Sequence, residues 1–153
     1  ASPDPGLPQN WLYTGRAIAL NLAPLESNWM VVSREDFEGQ TYWRLWAKCL
    51  AQDGSCGTRM DTPVWDFPSR ASGDLVAFED GGKLVTPPAG YWIDITDIAQ
   101  QFGWVRLPAL SNWRSYYPGI QFNLLSLTRG MSWDQAMHEL YPDDAINLVR
   151  AGK

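Results

Sequence analysis

With 153 residues, the chain is long enough for one domain with a sizeable buried core and leaves little room for a second. Hydrophobic residues make up 45% of the sequence and charged residues 19%, a balance that excludes a disordered chain. The net charge of −5, without any block of Lys or Arg, argues against a nucleic-acid or anionic-membrane partner. No apolar run approaches the ~18–20 residues that a membrane span needs. The nine Trp predict either an aromatic core or a surface that stacks on sugar rings.

The first ten residues differ in composition from the rest. They contain three prolines and one glycine, a density that resists regular structure. We therefore expect a linker or extended arm over 1–10 and a single α+β domain over 11–153. Such an arm suggests a domain that is attached to something else.

Two segments in the first third of the chain predict a β-hairpin. Segments 29–35 and 41–50 are separated by 37–40, which contains a Gly turn signal. Side chains alternate along a strand, so the second strand divides into two sets. One set is Trp43, Leu45, Ala47 and Cys49, and the other is Tyr42, Arg44, Trp46 and Lys48. The first set predicts a core face, whereas the second is aromatic and basic and could line a groove.

The chain has two cysteines, Cys49 and Cys56, and the residues between them have a turn composition. A disulfide closing this short loop would imply an oxidising compartment. The alternative is two free thiols in a reduced cytoplasmic protein. We favour the disulfide. Two cysteines alone do not make a zinc site.

Residues 57–90 are rich in Pro, Gly, Ser and Asp and predict a long irregular excursion. One short element is expected near 75–78. Excursions of this length are often functional or packed by their own aromatic side chains. Trp65 and Phe67 are the candidates for that packing.

A short helix is predicted at 97–102, with Thr96 as its N-cap and Gly103 as its left-handed stop. One face of this helix carries Ile98, Ala99 and Phe102. Because three apolar residues share that face, we expect it to be the buried side of an amphipathic helix.

The remaining elements are short. Strands are expected at 91–95, 104–107 and 120–127. Ser132 and Gln135 match a capping box, which predicts a helix that Pro142 ends, and a last helix follows at 144–150. The sequence thus predicts an α+β fold, with a small mixed or antiparallel sheet, a β-hairpin and two or three short helices.

Few residues are suited to catalysis or to holding a cofactor. The single His138 lies in a predicted helix, and no Gly-x-Ser-x-Gly nucleophile elbow occurs, so we interpret His138 as a surface residue. Helix starts explain Asp97 and Asp144 better than glycosidase chemistry does. No phosphate loop, dinucleotide fingerprint or EF-hand pattern is present, and we expect no cofactor.

One loop does combine suitable groups for recognition. The run Trp113-Arg114-Ser115-Tyr116-Tyr117 offers a guanidinium for carboxylates and aromatic faces for sugars. With Tyr42, Arg44 and Trp46 it could build a shallow platform for an anionic glycan or peptide. The alternative is an aromatic loop that packs on its own domain.

Three segments, in order, carry a family resemblance: Thr14-Gly15-Arg16-Ala17-Ile18-Ala19-Leu20, 95–105 and Ile120-Gln121-Phe122-Asn123-Leu124. They resemble the segments that build the site of the zinc D,D-peptidases of the Hedgehog/DD-peptidase fold. The resemblance implies a small α+β core of that type. It also implies that the metal is lost, because Leu12, Ala19 and Asn123 stand where the family has zinc ligands. Arg16, similar to a family residue beside the cleft, is kept.

Two longer runs, 34–44 and 103–114, are similar to uncharacterised modules of secreted multidomain bacterial proteins. That similarity implies an extracellular or cell-surface setting and gives no activity.

Our functional hypothesis is a non-catalytic extracellular binding module for a cell-wall glycan or peptide. The expected ligand contacts are carboxylate pairing by Arg16, Arg44 and Arg114, stacking by Tyr42, Trp46, Trp113, Tyr116 and Tyr117, and a hydrogen bond from Asn123. The first alternative is a structural or interaction module that packs on a partner domain or subunit. A carboxylate-based hydrolase is the least favoured reading. We expect no metal and no nucleic-acid partner.

Overall fold

Three antiparallel sheets and several short helices make up residues 10–21 and 23–151, which are the residues that the computed structural model describes. The predicted α+β class is confirmed. The predicted arm lies outside the described residues except for Asn10. Among the described residues, no helix combines the length and apolar character needed to cross a bilayer.

The strands form sheets of three, four and two members. The first sheet has the order β1 (Ala17–Ala19), β9 (Leu124–Ser126), β8 (Val105–Arg106). The second has the order β2 (Met30–Phe37), β3 (Gln40–Lys48), β7 (Tyr91–Asp94), β4 (Thr58–Arg59), and the third pairs β5 (Val64–Asp66) with β6 (Lys83–Val85). The helices are α1 (Ala23–Glu26), α2 (Leu75–Asp80), α3 (Ile95–Gln101), α4 (Trp133–His138) and α5 (Asp143–Arg150). Single 3₁₀ turns cover Trp11–Thr14, Pro68–Ala71 and Tyr117–Ile120.

The predicted hairpin is confirmed as β2 and β3, paired from Met30 with Ala47 to Phe37 with Gln40. Its two-residue turn, Glu38 and Gly39, has φ of 49° and 78°, the double positive φ that matches the twist of a tight hairpin. The alternation is confirmed as well, because the predicted core face of β3 carries the buried side chains of Trp43 and Leu45, and Cys49, directly after the strand, is also buried.

The edge of β3 that faces away from β2 is covered by a different group at each step. In order along the strand, the covering groups are the Ala109 amide, the Arg106 guanidinium, the Thr96 hydroxyl and Ile93 of β7. The Thr96 Oγ1 accepts from the Leu45 amide at 2.8 Å, and the Trp43 carbonyl accepts from Arg106 at 3.4 Å. These bonds tie β7, α3 and β8 to one central strand.

The core faces of β2 and β3 build the largest apolar cluster. Trp43 is its centre, with ring centroids 4.9 Å from Phe67, 5.2 Å from Trp113 and 6.0 Å from Trp65. Edge-to-face and tilted contacts of this kind stabilise beyond the area they bury. A second cluster around Val31, Val64 and Trp92 covers the other face of the hairpin.

The segment 57–90 is more regular than its composition suggested. It contains β4, β5, β6 and α2 as well as a 3₁₀ turn, so the predicted irregular excursion is wrong, although the short element near 75–78 is confirmed as α2. Trp65 and Phe67 are buried, which confirms their role as aromatic anchors. Those two side chains join the core around Trp43 and hold this segment in place.

The helix predicted at 97–102 is displaced. Its N-cap is Asp94, whose side chain accepts from the Asp97 amide at 2.8 Å, whereas Thr96 lies inside the helix and binds β3. The face predicted to be buried is exposed at Ile98 and Phe102.

The C-terminal elements follow the sequence more closely. The strand expected at 120–127 is shorter, because a 3₁₀ turn precedes it and Gln121 has a φ of 54°. The capping box of Ser132 and Gln135 is confirmed, although α4 ends at His138 before the Pro142 stop. The last helix is confirmed as α5.

Candidate functional site

The aromatic and basic face of β3 carries a network of ion pairs. Arg44 donates to Glu35 at 2.6 Å and to Asp94 at 2.7 Å, and Arg106 donates to the second oxygen of Glu35 at 2.5 Å. Burial raises the pKa of Glu35, whereas the hydrogen bonds from Arg44 and Arg106 and the charges of these two arginines lower it. Together they outweigh burial, so the pKa of Glu35 lies below its ordinary value. For Arg44, burial lowers the pKa, but the hydrogen bonds and charges of Glu35 and Asp94 raise it by more. The pKa of Arg44 therefore lies above its ordinary value. Arg44 is therefore held by the protein's own carboxylates.

The two aromatic residues beside Arg44 are also engaged. The Tyr42 hydroxyl donates to Gln40 at 2.9 Å, and the Arg106 guanidinium lies 5.3 Å from the centre of the Tyr42 ring. The Trp46 indole donates to the Ser33 hydroxyl at 3.1 Å. This face thus joins strands to one another instead of forming an open groove.

The second half of the expected platform lies elsewhere. Trp113 is 2% exposed and packs edge-on against Trp43, so it presents almost no surface to a ligand. Because Trp43 and Arg44 are neighbours on a strand, their side chains point to opposite faces. The structure therefore places Trp113 and Arg44 on opposite sides of the sheet, which corrects the single platform suggested by the sequence.

The rest of the 113–117 loop reaches the surface. Arg114 is exposed, with its guanidinium 4.9 Å from the centre of the Trp113 ring, and its carbonyl accepts from Arg70 at 3.1 Å. Tyr116 is half-buried. Tyr117 packs edge-on against Phe67 and lines a cleft that is described below.

The positions named through the peptidase resemblance lie near the first sheet. Arg16 forms an ion pair with Glu139 at 2.7 Å. Asn123 donates to the Leu20 carbonyl at 3.1 Å, so its amide ties the two strands that carry Ala19 and Leu124. Among residues 10–21 and 23–151, no three His, Cys, Asp or Glu side chains cluster so that they could hold a metal ion.

Cys49 and Cys56 are free thiols in this structure. The buried Cys49 donates to the carbonyl oxygen of Cys56 at 2.6 Å. Burial, together with the hydrogen bond to Cys56, raises the pKa of the Cys49 thiol to about 11. The two residues are thus close to each other, and the disulfide between them stays a prediction.

His138 is exposed and joins α4 to α5. Its Nδ1 lies 2.6 Å from the Asp134 carbonyl and its Nε2 lies 2.7 Å from the Asp143 carboxylate. The backbone bond to Asp134 and the side-chain bond to Asp143 raise the pKa of His138 above its ordinary value. This geometry agrees with the surface position expected from the sequence.

A cleft of about 420 Å³ lies where the hairpin meets the third sheet. Its walls are segments 25–31, 64–68 and 85–88, closed at one side by Tyr117. Its apolar floor consists of Met30, Val31, Val64, Trp65, Phe67 and Val85. A volume of this size is within the roughly 300–1,000 Å³ range of small-ligand sites.

The two charged side chains that line the cleft are both acidic. Glu26 and Asp66 line it, and neither carboxylate has an ion-pair partner among the described residues. Burial raises the pKa of Tyr117, the charge of Arg70 opposes that rise, and the charge of Glu26 adds to it. The cleft therefore combines an apolar floor with two carboxylates that form no ion pair with the described residues.

Of the residues predicted to contact a ligand, only Tyr117 lines this cleft, and both of its carboxylates were missed. Glu26 ends a four-residue helix that had no distinct signal. Asp66 stands between Trp65 and Phe67, two side chains already singled out as anchors of the 57–90 segment. The sequence signal that could have identified Asp66 is its position between these two large aromatic residues.

The described residues form a small α+β domain that contains an apolar, acidic cleft. No family model, no curated protein and no solved structure matches the chain.

Proposed function

We propose that this domain is a non-catalytic binding module whose cleft takes a short peptide that carries an apolar side chain next to a cationic group. The observation that carries this proposal is the pairing of an apolar floor with the free carboxylates of Glu26 and Asp66. Because the sequence predicts an extracellular setting, the proposed ligand is a cell-wall peptide that has a free amine.

The floor supplies the affinity in this proposal. Burying apolar surface stabilises a complex by roughly 25 cal/mol per Å² before the costs of association are subtracted. An apolar ligand side chain placed over Val31, Val64 and Val85 would remove its own apolar surface and that of the floor from contact with water.

The carboxylates supply the selectivity. A ligand amine or guanidinium would donate charge-assisted hydrogen bonds to Glu26 and Asp66, whereas a ligand carboxylate would be repelled. The ligand charge favoured here is opposite to the one that the arginines of the sequence hypothesis would recognise, because Arg16 and Arg44 are already paired within the protein.

A peptide fits this cleft better than a glycan does. Sugar rings stack on an open aromatic face, and the one tyrosine of the cleft, Tyr117, already packs against Phe67 and under the Arg70 guanidinium at 5.7 Å. The apolar floor around it suits aliphatic side chains.

Binding can be tested by titration calorimetry with short peptides in matched pairs, in which an Ala-Lys step is replaced by Ala-Glu. We expect saturable binding of the lysine peptide at least about tenfold tighter than that of the glutamate peptide. Co-sedimentation with insoluble peptidoglycan, with a neutral polysaccharide as control, tests the cell-wall ligand directly.

Two variants locate the site. Thr86 is exposed and lines the cleft, so Thr86→Trp should fill the recess and abolish binding without removing a core contact. Ser111→Trp adds the same side chain at an exposed position outside the cleft and should bind like the wild type. Equal binding by the two variants, or no preference between the two peptides, would contradict the proposal.

A further inference from the structure

The two cysteines lie at the ends of one short loop, which leads from the end of β3 to the start of β4. Cys49 is 2% exposed, whereas Cys56 is partly exposed and therefore open to small molecules in solvent. The Cys49 thiol donates to the Cys56 carbonyl at 2.6 Å. Burial, followed by a hydrogen bond and a charge from the Cys56 side chain, raises the pKa of Cys49. The two thiols thus contact each other. We call residues 49–56 the cysteine loop.

Side-chain hydrogen bonds hold the cysteine loop in this shape. The Gln52 amide donates to the Cys49 carbonyl at 2.6 Å, and the Gln52 oxygen accepts from the Tyr91 amide of β7 at 2.8 Å. The Asp53 carboxylate accepts from the Ser55 amide at 2.9 Å and from the Ser55 hydroxyl at 2.6 Å, a pattern that closes a tight turn. The loop is therefore folded back on β7, and this path places the second cysteine beside the first.

The residue after the cysteine loop allows this close approach. Gly57 has a φ of 74°, and a side chain there would overlap the Trp92 carbonyl and lie 3.0 Å from the Cys49 sulfur. The backbone passes this point because glycine has no side chain. Lys48 of β3 and Thr58 of β4 pair with the same residue of β7, Trp92, from its two sides. A bond between the cysteines would therefore join the chain on one side of β7 to the chain on the other.

We propose that Cys49 and Cys56 form a thiol pair that a small disulfide oxidises, and that the resulting bond fixes β4 against the second sheet. Strand β4 lies at the edge of that sheet and is held there by two residue pairs with β7. The bond would close the chain covalently directly before this short strand. This proposal does not rest on the proposed function of the cleft.

Cys56 is the thiol that reacts first. It is partly exposed, whereas burial raises the pKa of Cys49 to about 11 and keeps that thiol protonated at neutral pH. The Cys56 thiolate attacks one sulfur of the small disulfide, whose sulfur–sulfur bond breaks and releases one small thiolate. Cys49 then gives up its proton and attacks the Cys56 sulfur, which releases the second small thiolate. Both protein thiols are thereby oxidised to one disulfide, and the small disulfide is reduced to two small thiols.

Oxidation is measured on the folded protein, which is first reduced, then incubated with oxidised glutathione and sampled for free thiols and intact mass. We expect the free thiols of the wild type to fall from two to none per chain and the mass to fall by two hydrogens. Cys49→Ala should keep glutathione attached at Cys56, because the thiol that would displace it is gone. Cys56→Ser should react at least about tenfold more slowly than Cys49→Ala, because its remaining thiol is buried.

The effect on β4 is measured by comparing the oxidised and reduced wild type. Closing a loop of this length restricts the unfolded chain, so the melting temperature of the oxidised form should be higher by about 5 °C or more. The β4 amides should exchange their hydrogens at least about threefold more slowly. Cys49→Ala, treated with the same oxidant, is the matched control and should show neither change, because it carries glutathione at Cys56 without the bond.

Four results would overturn the proposal. The first is a folded wild type that keeps both thiols under conditions that oxidise the urea-unfolded chain. The second is a wild type that retains glutathione, and the third is a product that links two chains. The fourth is an oxidised protein whose melting temperature and β4 exchange equal those of the reduced form. Peptide binding by the cleft is measured independently, so its failure would leave this result unaffected.

Discussion

Replacing Glu35 by Gln tests the ion-pair network that joins the first and second sheets. The carboxylate lies between Arg44 and Arg106 and accepts from both, at 2.6 and 2.5 Å. Glutamine has nearly the same size and keeps one acceptor oxygen, so the substitution removes the charge and replaces one of the two acceptors with an NH2 donor. Arg44 keeps Asp94 as a partner, whereas Arg106, with its side chain 18% exposed, loses its carboxylate.

The expected loss follows from the two hydrogen bonds. A hydrogen bond to a charged group contributes about 1.5–3 kcal/mol when it is buried, and solvent reduces that value for a side chain that is 36% exposed. Because one neutral hydrogen bond survives, we expect the free energy of unfolding to fall by about 1.5 kcal/mol. For a chain of this length that corresponds to a melting temperature lower by about 3–6 °C.

The assay is urea unfolding of both proteins at several pH values. Since the folded-state pKa of Glu35 is lowered, its contribution is complete above the unfolded pKa near 4.5 and is lost as the pH falls through the folded value. The wild type should therefore lose its advantage over Glu35→Gln as the pH drops from about 5 towards 3.

Glu139→Gln is the matched control. Glu139 also pairs with an arginine, Arg16, at 2.7 Å, but its side chain is 47% exposed. Exposed pairs contribute little, so we expect a change below about 0.5 kcal/mol. Equal losses for the two variants, or a loss at Glu35 that does not vary with pH, would refute the reasoning.

Two further predictions concern the loops and the C-terminal helices. His138, the single histidine of the chain, should titrate above 6.5 in NMR spectra, and Asp143→Asn should lower that pKa; an unchanged value would contradict the bond between them. Because the folded-state pKa is raised, this contact stabilises the protein fully below the unfolded pKa and is lost as the pH rises through the folded value. Gly82→Ala should lower the free energy of unfolding by about 2–4 kcal/mol in denaturation experiments, since its side chain would overlap the Trp65 indole and the backbone there has a φ of 139°. Gly73→Ala, with a φ of 88° and no atom within 4 Å, should cost about 1 kcal/mol, and a similar loss at both positions would contradict the packing.

The hairpin could be predicted from the sequence because its signals are local. Alternation along β3 and the Gly39 turn act over two to four residues, and neither depends on the rest of the chain. The position of Trp113 could not be predicted in this way. Which face of β3 it meets depends on how a loop about seventy residues further along packs, and that arrangement is set by the tertiary structure.

The cap of α3 shows the same limit at short range. Both Asp94 and Thr96 are good N-cap residues, and local preference does not separate them. The choice is made by β3, because the Leu45 amide at its edge needs an acceptor and Thr96 supplies one. The two carboxylates of the cleft likewise come from α1 and β5, which both pack against β2, and no spacing in the sequence indicates that they meet.

The covered edge of β3 has a consequence for how the domain opens. Four alternate residues along that edge, from Thr41 to Ala47, are bound by groups from two segments of the chain, 93–96 and 106–109, so neither segment can expose the whole edge by leaving alone. Local fluctuations of α3 or β8 would free one group while the others remained. The Leu45 amide, which donates to Thr96 in the middle of this covered edge, should therefore be among the slowest of the described amides to exchange its hydrogen with solvent.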